Sequence, residues 1–156
     1  MNEKSSLNLD LILQRCRPHD SKPVNVLQTL LAVQDELGHV PQEAVPEIAR
    51  TLEVTEAEIA GVLSYYPDLR TRPTGRHRIR VCTGESCVAN HSDRVLAALR
   101  KKLGITLDQT TRDGRFTLER VSCVGNCAVS PTVIVDDQVH GRVRPADLPQ
   151  LLQEFR

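Results

Sequence analysis

The chain has 156 residues and a mass of 17.4 kDa, with 40% apolar and 26% charged residues, the make-up of an ordinary globular protein. Its 20 Lys and Arg balance 20 Asp and Glu, aromatic residues amount to 3%, and Trp is absent. Those figures exclude a nucleic-acid binder working through a basic field or a base-stacking surface. No apolar run reaches the roughly 18–20 residues of a membrane span. Met1-Asn2-Glu3-Lys4-Ser5-Ser6 lacks the basic-then-apolar order of a secretory signal. The expectation is a cytoplasmic protein with no direct membrane insertion. Charge is unevenly spread, with 5 basic and 11 acidic residues in 1–69 against 15 and 9 in 70–156. That step points to two sub-regions meeting near residue 70.

The first region reads as helical. Leu7 to Leu13 begins a short amphipathic segment that Pro18 stops. Val24 to Leu37 carries Leu27, Leu30, Leu31 and Val33 at helical spacings, with Gly38 as its stop signal. Pro41 opens a third segment whose apolar face is Val45, Ile48, Ala49 and Leu52. Thr55 followed by Glu58 has capping-box spacing, which starts a fourth helix with Ile59, Val62 and Leu63 on its buried face. Short helices of this kind bury their stripes only against each other, so residues 1–69 are expected to form a small helical bundle.

Residues 70–76 hold Pro73, Thr74 and Gly75 and read as a linker. From His77 the pattern alternates through Val81, the period of a half-buried strand. Asn90 or Ser92 is the expected cap of a helix carrying Val95, Leu96, Leu99 and Leu103 and ending at Gly104. Asp113-Gly114 turns into a second alternating strand, Arg115 to Val121. Thr132 to Val135 and Val139 to Val143 make a hairpin about Asp136-Asp137. Pro145 opens a last helix with Leu148, Leu151, Leu152 and Phe155. A right-handed crossover places the first two strands parallel, with the hairpin antiparallel beside them. Residues 77–156 thus read as a thioredoxin-like α/β unit, and the whole chain as α+β.

Four of the five cysteines fall into tight pairs. Four residues separate Cys82 from Cys87, three separate Cys123 from Cys127, and 35 lie between the pairs. Each pair directly follows an expected strand. If those strands are parallel neighbours, about 4.8 Å apart, both pairs emerge at one end of the sheet. A disulfide is disfavoured in a reducing cytosol. Structural zinc sites usually close with tighter spacing, most often two residues. A two-iron, two-sulfide cluster spreads its ligands over two ions and suits wider loops; plant-type ferredoxins share the four-residue gap. Spacing favours the cluster and leaves zinc open. Gly84 and Gly125 in the two loops let the backbone turn and present N–H groups to sulfur. Cys87 is expected just before the helix near Asn90, whose positive end favours a thiolate.

The run Gly75 to Cys82, then Cys87, then Thr110 to Leu118, then Cys123-Val124-Gly125-Asn126-Cys127 resembles a known family. It is similar to the thioredoxin-like 2Fe–2S subunit of NADH-linked redox complexes, the 24-kDa type of respiratory complex I, which has relatives in formate dehydrogenases and NAD-reducing hydrogenases. The family also carries an N-terminal helical bundle ending in an aromatic pair, like Tyr65-Tyr66 here. The resemblance implies one 2Fe–2S cluster held by Cys82, Cys87, Cys123 and Cys127. It also implies an electron-transfer role beside a flavin (FMN)- and NAD(H)-binding subunit and a larger catalytic subunit, with no catalytic residue on this chain. Thr83-Gly84-Glu85-Ser86 and Ser130-Pro131 followed by Val139 to Arg142 look most like the gamma subunit of NAD-dependent formate dehydrogenase. The alternatives are the complex I or hydrogenase subunit and, in another class, a zinc-stabilised interaction module.

The remaining candidates have plainer readings. Cys16 is expected to be a small buried hydrophobe, His91 a surface residue at a helix start, and His140 exposed. Tyr65 and Tyr66 are expected to close the bundle rather than anchor a partner. Arg70, Arg72, Arg76, Arg78 and Arg80 either dock an acidic partner or line a solvated strand. No Gly-x-Gly-x-x-Gly and no Cys-x-x-Cys occurs, which argues against dinucleotide binding and thiol–disulfide exchange by this chain.

Overall fold

A computed structural model describes residues 13–14 and 25–155 of the chain. Cys16 and the expected segment from Leu7 to Ile12 lie outside the described residues. The chain divides into two compact units between Pro73 and Thr74.

In the first unit Asn25 caps α1 (Val26–Leu37) through a hydrogen bond from the Gln28 N–H, and Gly38 ends it at φ 77°, where glycine carries no Cβ penalty. A 3-10 turn, Gln42–Ala44, leads into α2 (Val45–Leu52). Thr55 and Glu58 form both bonds of the capping box at the start of α3 (Glu56–Tyr65). Leu30, Val33, Ile48, Leu52 and Ile59, all fully buried, meet in one core with Leu13. Buried Gln34 is paired through both its nitrogen and its oxygen: its amide donates to the Asp68 carbonyl (3.0 Å) and accepts from the Arg70 N–H (2.6 Å). The expected linker is anchored at both ends, Arg70 in this unit and Gly75 in the other by a 2.7 Å bond to Thr117 Oγ1.

The second unit is built on a sheet of β1 (His77–Cys82), β2 (Gln109–Thr110), β3 (Phe116–Val121), β4 (Val133–Val135) and β5 (Gln138–His140), in the order β2-β3-β1-β4-β5. β1 and β3 are parallel, in register from His77↔Phe116 to Cys82↔Val121. β4 runs antiparallel on β1 and pairs with β5 through the turn at Asp136. The two-residue β2, antiparallel on β3, is too short to leave a periodic signal. Between β1 and β3 lie α4 (Glu85–Ala89) and α5 (Ser92–Leu103); α6 (Leu148–Gln153) follows the hairpin. Ile79, Val81, Leu118, Val133 and Val135 share one sheet face, where Val95 and Leu99 of α5 and Leu148, Leu151 and Leu152 of α6 pack on them. That packing leaves the strand ends at Cys82 and Val121 as a fixed platform.

Candidate metal centre

Because Cys82 and Val121 are register partners in a parallel pair, the segments leaving them begin side by side. Thr83 N–H donates to the Val121 carbonyl at 2.8 Å, and Cys82 N–H donates to the Thr132 carbonyl at 3.0 Å. The Cys82 thiol lies 3.9 Å from the Ser122 carbonyl oxygen. The sheet therefore sets the roots of both cysteine segments.

The first segment is more ordered than its sequence suggests. Cys87 lies inside α4 rather than in open loop before a helix starting near Asn90. Neither Asn90 nor Ser92 caps α5. His91 precedes that helix at φ 66°, Asn90 turns its amide back to the Ser86 carbonyl (2.8 Å), and the Ser92 hydroxyl is buried with no partner among the described residues. A helix of five residues shows too few positions for an apolar repeat to be read. Cys87 therefore belongs to a short helix of its own rather than to a loop leading into the longer one.

In the second segment Gly125 adopts φ 76°, a left-handed conformation that favours glycine, and its N–H points to Cys123 Sγ at 3.4 Å. Cys127 opens a 3-10 turn, Cys127–Val129. Two side chains tie the segments together: Ser86 Oγ and Ser130 Oγ are 2.9 Å apart, and Ser130 Oγ donates to the Cys127 carbonyl at 2.9 Å.

Cys82 and Cys87 are each 2% exposed, whereas Cys123 and Cys127 are open to solvent. Burial pushes the Cys87 thiol above its usual range; a hydrogen bond shared with Cys82 and the charge on Cys82 add to this, against donors from Thr132. Cys127 is raised by a hydrogen bond shared with Cys123, then by the charge on Cys123, by desolvation and by the charge on Cys82. Each pair is thus coupled within itself, and Cys82 links the two through its effect on Cys127. Gathering four thiolates is unfavourable by mutual repulsion until a cationic centre neutralises them. Among the described residues no three His, Cys, Asp or Glu side chains converge as the ligands of one metal ion. A two-by-two disposition of sulfur suits a centre that spreads four thiolates over two irons better than one tetrahedral ion. The donor set and its layout fit a 2Fe–2S cluster.

The other candidates take ordinary places or are corrected. His91 is exposed as expected. His140 is half-buried rather than exposed, edge-on to Phe155 at 6.2 Å, with Nε2 buried and without a hydrogen-bond partner among the described residues. Tyr65 and Tyr66 stack edge to face at 5.1 Å, but at 77% and 38% exposure they do not close the bundle core. Arg78 forks onto Glu119 (2.7 and 3.3 Å), and Arg80 Nη2 donates to the Asp136 carbonyl (2.7 Å). Those two arginines are engaged inside the sheet. Sequence reading gave Asn90 a capping role, Thr132 a strand start and Ser86 and Ser130 only a family likeness. It did not foresee the bonds that join Ser86, Asn90 and Ser130, since small polar residues about 40 positions apart carry no linear signal.

Comparison with known proteins bears on the family of the chain. The family model described as Thioredoxin-like [2Fe-2S] ferredoxin matches residues 11–156. The chain is 40% identical over 129 residues to the NADH-quinone oxidoreductase E subunit of Pseudomonas aeruginosa, covering 83% of this chain and 78% of that one. It is 34% identical over 154 residues to the E subunit of the Escherichia coli enzyme of the same name, covering 99% and 93%. It is also 34% identical to the NADP-reducing hydrogenase subunit HndA of Solidesulfovibrio fructosivorans, over 86% of this chain and 78% of that subunit. The fold is that of part of an NAD+-reducing [NiFe]-hydrogenase crystal structure in the air-oxidized state, with a TM-score of 0.70 at 20% identity. The match covers 92% of this chain and 24% of that one. These relatives favour the complex I and hydrogenase alternative over the formate dehydrogenase expectation. That expectation rests on a few loop residues, and whole-chain identity outweighs them.

Proposed function

The chain belongs to the thioredoxin-like 2Fe–2S ferredoxin family, which carries a 2Fe–2S cluster, and from that premise we propose that it is the 24-kDa-type electron-transfer subunit of an NADH-oxidising complex, NADH:quinone oxidoreductase ahead of a related hydrogenase. The observation that supports the reading is the parallel register of β1 and β3, which starts the Cys82–Cys87 and Cys123–Cys127 segments side by side at one end of the sheet. Near full-length similarity to the E subunit of the Escherichia coli enzyme supports it.

The four cysteines are the proposed ligands. A bound 2Fe–2S cluster supplies one-electron chemistry, which complements two-electron hydride transfer at a flavin on a neighbouring NAD(H)-binding subunit. The residues of this chain prepare the place. Cys82 and Cys87 form the buried side of the site and exclude water from it; Cys123 and Cys127 form the open side, the side an electron partner would approach. The Gly125 N–H faces the Cys123 sulfur and stabilises its negative charge, as an outer hydrogen bond to a metal ligand does. The rigid sheet under Cys82 resists movement when charge changes by one unit. In the described residues no helix is long and apolar enough to cross a membrane.

Anaerobic co-purification tests the assignment. The expected result is a brown protein with equal iron and acid-labile sulfide, accompanied by a flavin- and NAD(H)-binding subunit, and an NADH-induced paramagnetic signal. A colourless protein with stoichiometric zinc would overturn it in favour of the zinc module. Formate-dependent NAD+ reduction by the co-purified complex would move the parent complex back to formate dehydrogenase. Cys127→Ser should weaken or abolish the cluster while leaving most helicity.

A further inference from the structure

We propose that Ser86, Asn90 and Ser130 form a polar clamp that fixes the separation of Cys87 from Cys127, and so act as positioning residues for the cluster. The inference rests on reading the four cysteines as its ligands. The sheet holds only the near members of the pairs: Cys82 ends β1, and Ser122 and Cys123 follow directly on β3. Cys87 and Cys127 lie farther along the chain from the strands, in a five-residue helix and a 3-10 turn, short elements with little stiffness of their own.

The clamp bridges these two elements. Ser86 immediately precedes Cys87, and Ser130 lies three residues beyond Cys127. Ser130 Oγ donates to the carbonyl of Cys127 at 2.9 Å, which uses its single proton. With that proton placed so, the 2.9 Å contact with Ser86 Oγ is donated by Ser86, and the Asn90 amide donates to Ser130 Oγ at 3.2 Å; in the reverse arrangement Ser130 donates to Ser86, whose own hydroxyl donates to the Cys127 carbonyl at 3.4 Å. The second amide proton of Asn90 goes to the Ser86 carbonyl at 2.8 Å, closing the network onto α4. In either arrangement the two hydroxyls and the Asn90 amide form one connected network onto the Cys127 carbonyl. A hydroxyl so placed binds the backbone of one ligand residue to the segment that carries another. Holding these two ligands at a set distance limits how far the coordination sphere relaxes between oxidation states.

The test uses the full chain loaded with its cluster. Ser130→Ala removes the hub, Ser86→Ala removes one donor, and Ser130→Thr keeps the hydroxyl. Readouts are the paramagnetic spectrum of the reduced protein, its midpoint potential, the rate of bleaching by EDTA, and thermal melting. Ser130→Ala is expected to bind a cluster with altered g-values and a shifted potential, and to bleach roughly ten-fold faster or more, the scale of lost outer-sphere support. Ser130→Thr should restore the native spectrum and rate. A native spectrum, potential and bleaching rate in both alanine variants would overturn the clamp, including where only the melting temperature falls. If Ser130→Ala does not fold, Ser86→Ala and Asn90→Ala test the same network by the same readouts. Cys127→Ser separates the two readings: an unaffected cluster there overturns the ligand assignment itself, whereas loss there with silent serine variants overturns only the clamp.

Discussion

Gly84 lies so close to Cys123 that a Cβ on it would stand 3.2 Å from the Cys123 Cβ and 2.6 Å from the Ser122 carbonyl oxygen. Its φ of −67° is one any residue adopts, so the glycine is there for clearance between the two cysteine segments. Gly125, at φ 76°, is the loop glycine that does serve a turn. Gly84→Ala should therefore push the second segment away from the first. Overpacking of this kind costs roughly 1–3 kcal/mol, small enough for the fold to survive. The expected outcome is a folded protein with reduced iron and sulfide after anaerobic reconstitution and a changed paramagnetic spectrum. Native cluster content and a native spectrum would show that the segments are not in contact there.

Arg78 and Glu119 test whether the basic run serves the fold or a partner. The pair is bidentate across β1 and β3, with side chains 21% and 16% exposed. Removing one member leaves the other charge half-desolvated. The expected loss is roughly 1–3 kcal/mol for Arg78→Met or Glu119→Gln, less than for a fully buried pair. The double variant Arg78→Met with Glu119→Leu should recover much of that loss, because neither charge is then stranded. Urea titration of the single and double variants beside the parent protein measures the coupling. Unchanged stability in both single variants, with weakened subunit association, would return Arg78 to a docking role.

Much of this fold was legible where one element carried several concordant signals. Thr55 and Glu58 mark the start of α3 by spacing alone, and the alternation from His77 to Val81 marks β1. The parallel pairing of β1 and β3 follows from the crossover between them, and with it the start of both cysteine segments at one sheet end. The cysteines themselves were legible because few alternatives explain four thiols at such spacing. What escaped was short or non-local. Five residues of α4 and two of β2 do not complete a period, and Ser86 and Ser130 become neighbours only through the folded sheet. His140 reads as exposed because a residue beside a turn usually is, whereas the ring lies against Phe155.

Cluster-free protein should lose stability at alkaline pH. Burial raises the Cys87 thiol, and the hydrogen bond and charge of Cys123 raise that of Cys127. A thiol in the unfolded chain titrates at about 8.5. As pH climbs past that value the unfolded chain releases protons that the folded chain still holds, so stability falls until the folded thiols ionise as well. Below the unfolded value these thiols add no slope. Acid pH acts with the opposite sign elsewhere: Thr55 bonds hold the Glu58 carboxyl below its usual range, and that support disappears as pH falls through it. Thermal melts from neutral pH to about pH 10 should show the alkaline decline in the cluster-free chain and a shallower one in Cys127→Ala. Equal slopes would mean that Cys127 does not feel its neighbours.

Thiol alkylation reads the same arrangement from outside. Cys123 and Cys127 are exposed, whereas Cys82 and Cys87 are almost wholly enclosed, so iodoacetamide should reach the outer pair first in cluster-free protein. Within that pair the order is set by charge. Only the thiolate attacks, and Cys127 is held protonated by the hydrogen bond and charge of Cys123. Cys123 should therefore be modified before Cys127. Once Cys123 is capped it can no longer carry a negative charge, which lifts that restraint, so the second modification should accelerate. Cys82 and Cys87 should follow only on the timescale of local opening. In cluster-loaded protein all four should be protected together, because a coordinated sulfur is not free to attack. Peptide mass spectrometry over a time course resolves each site, and modification of Cys87 as fast as Cys123 would contradict the two-sided architecture of the site.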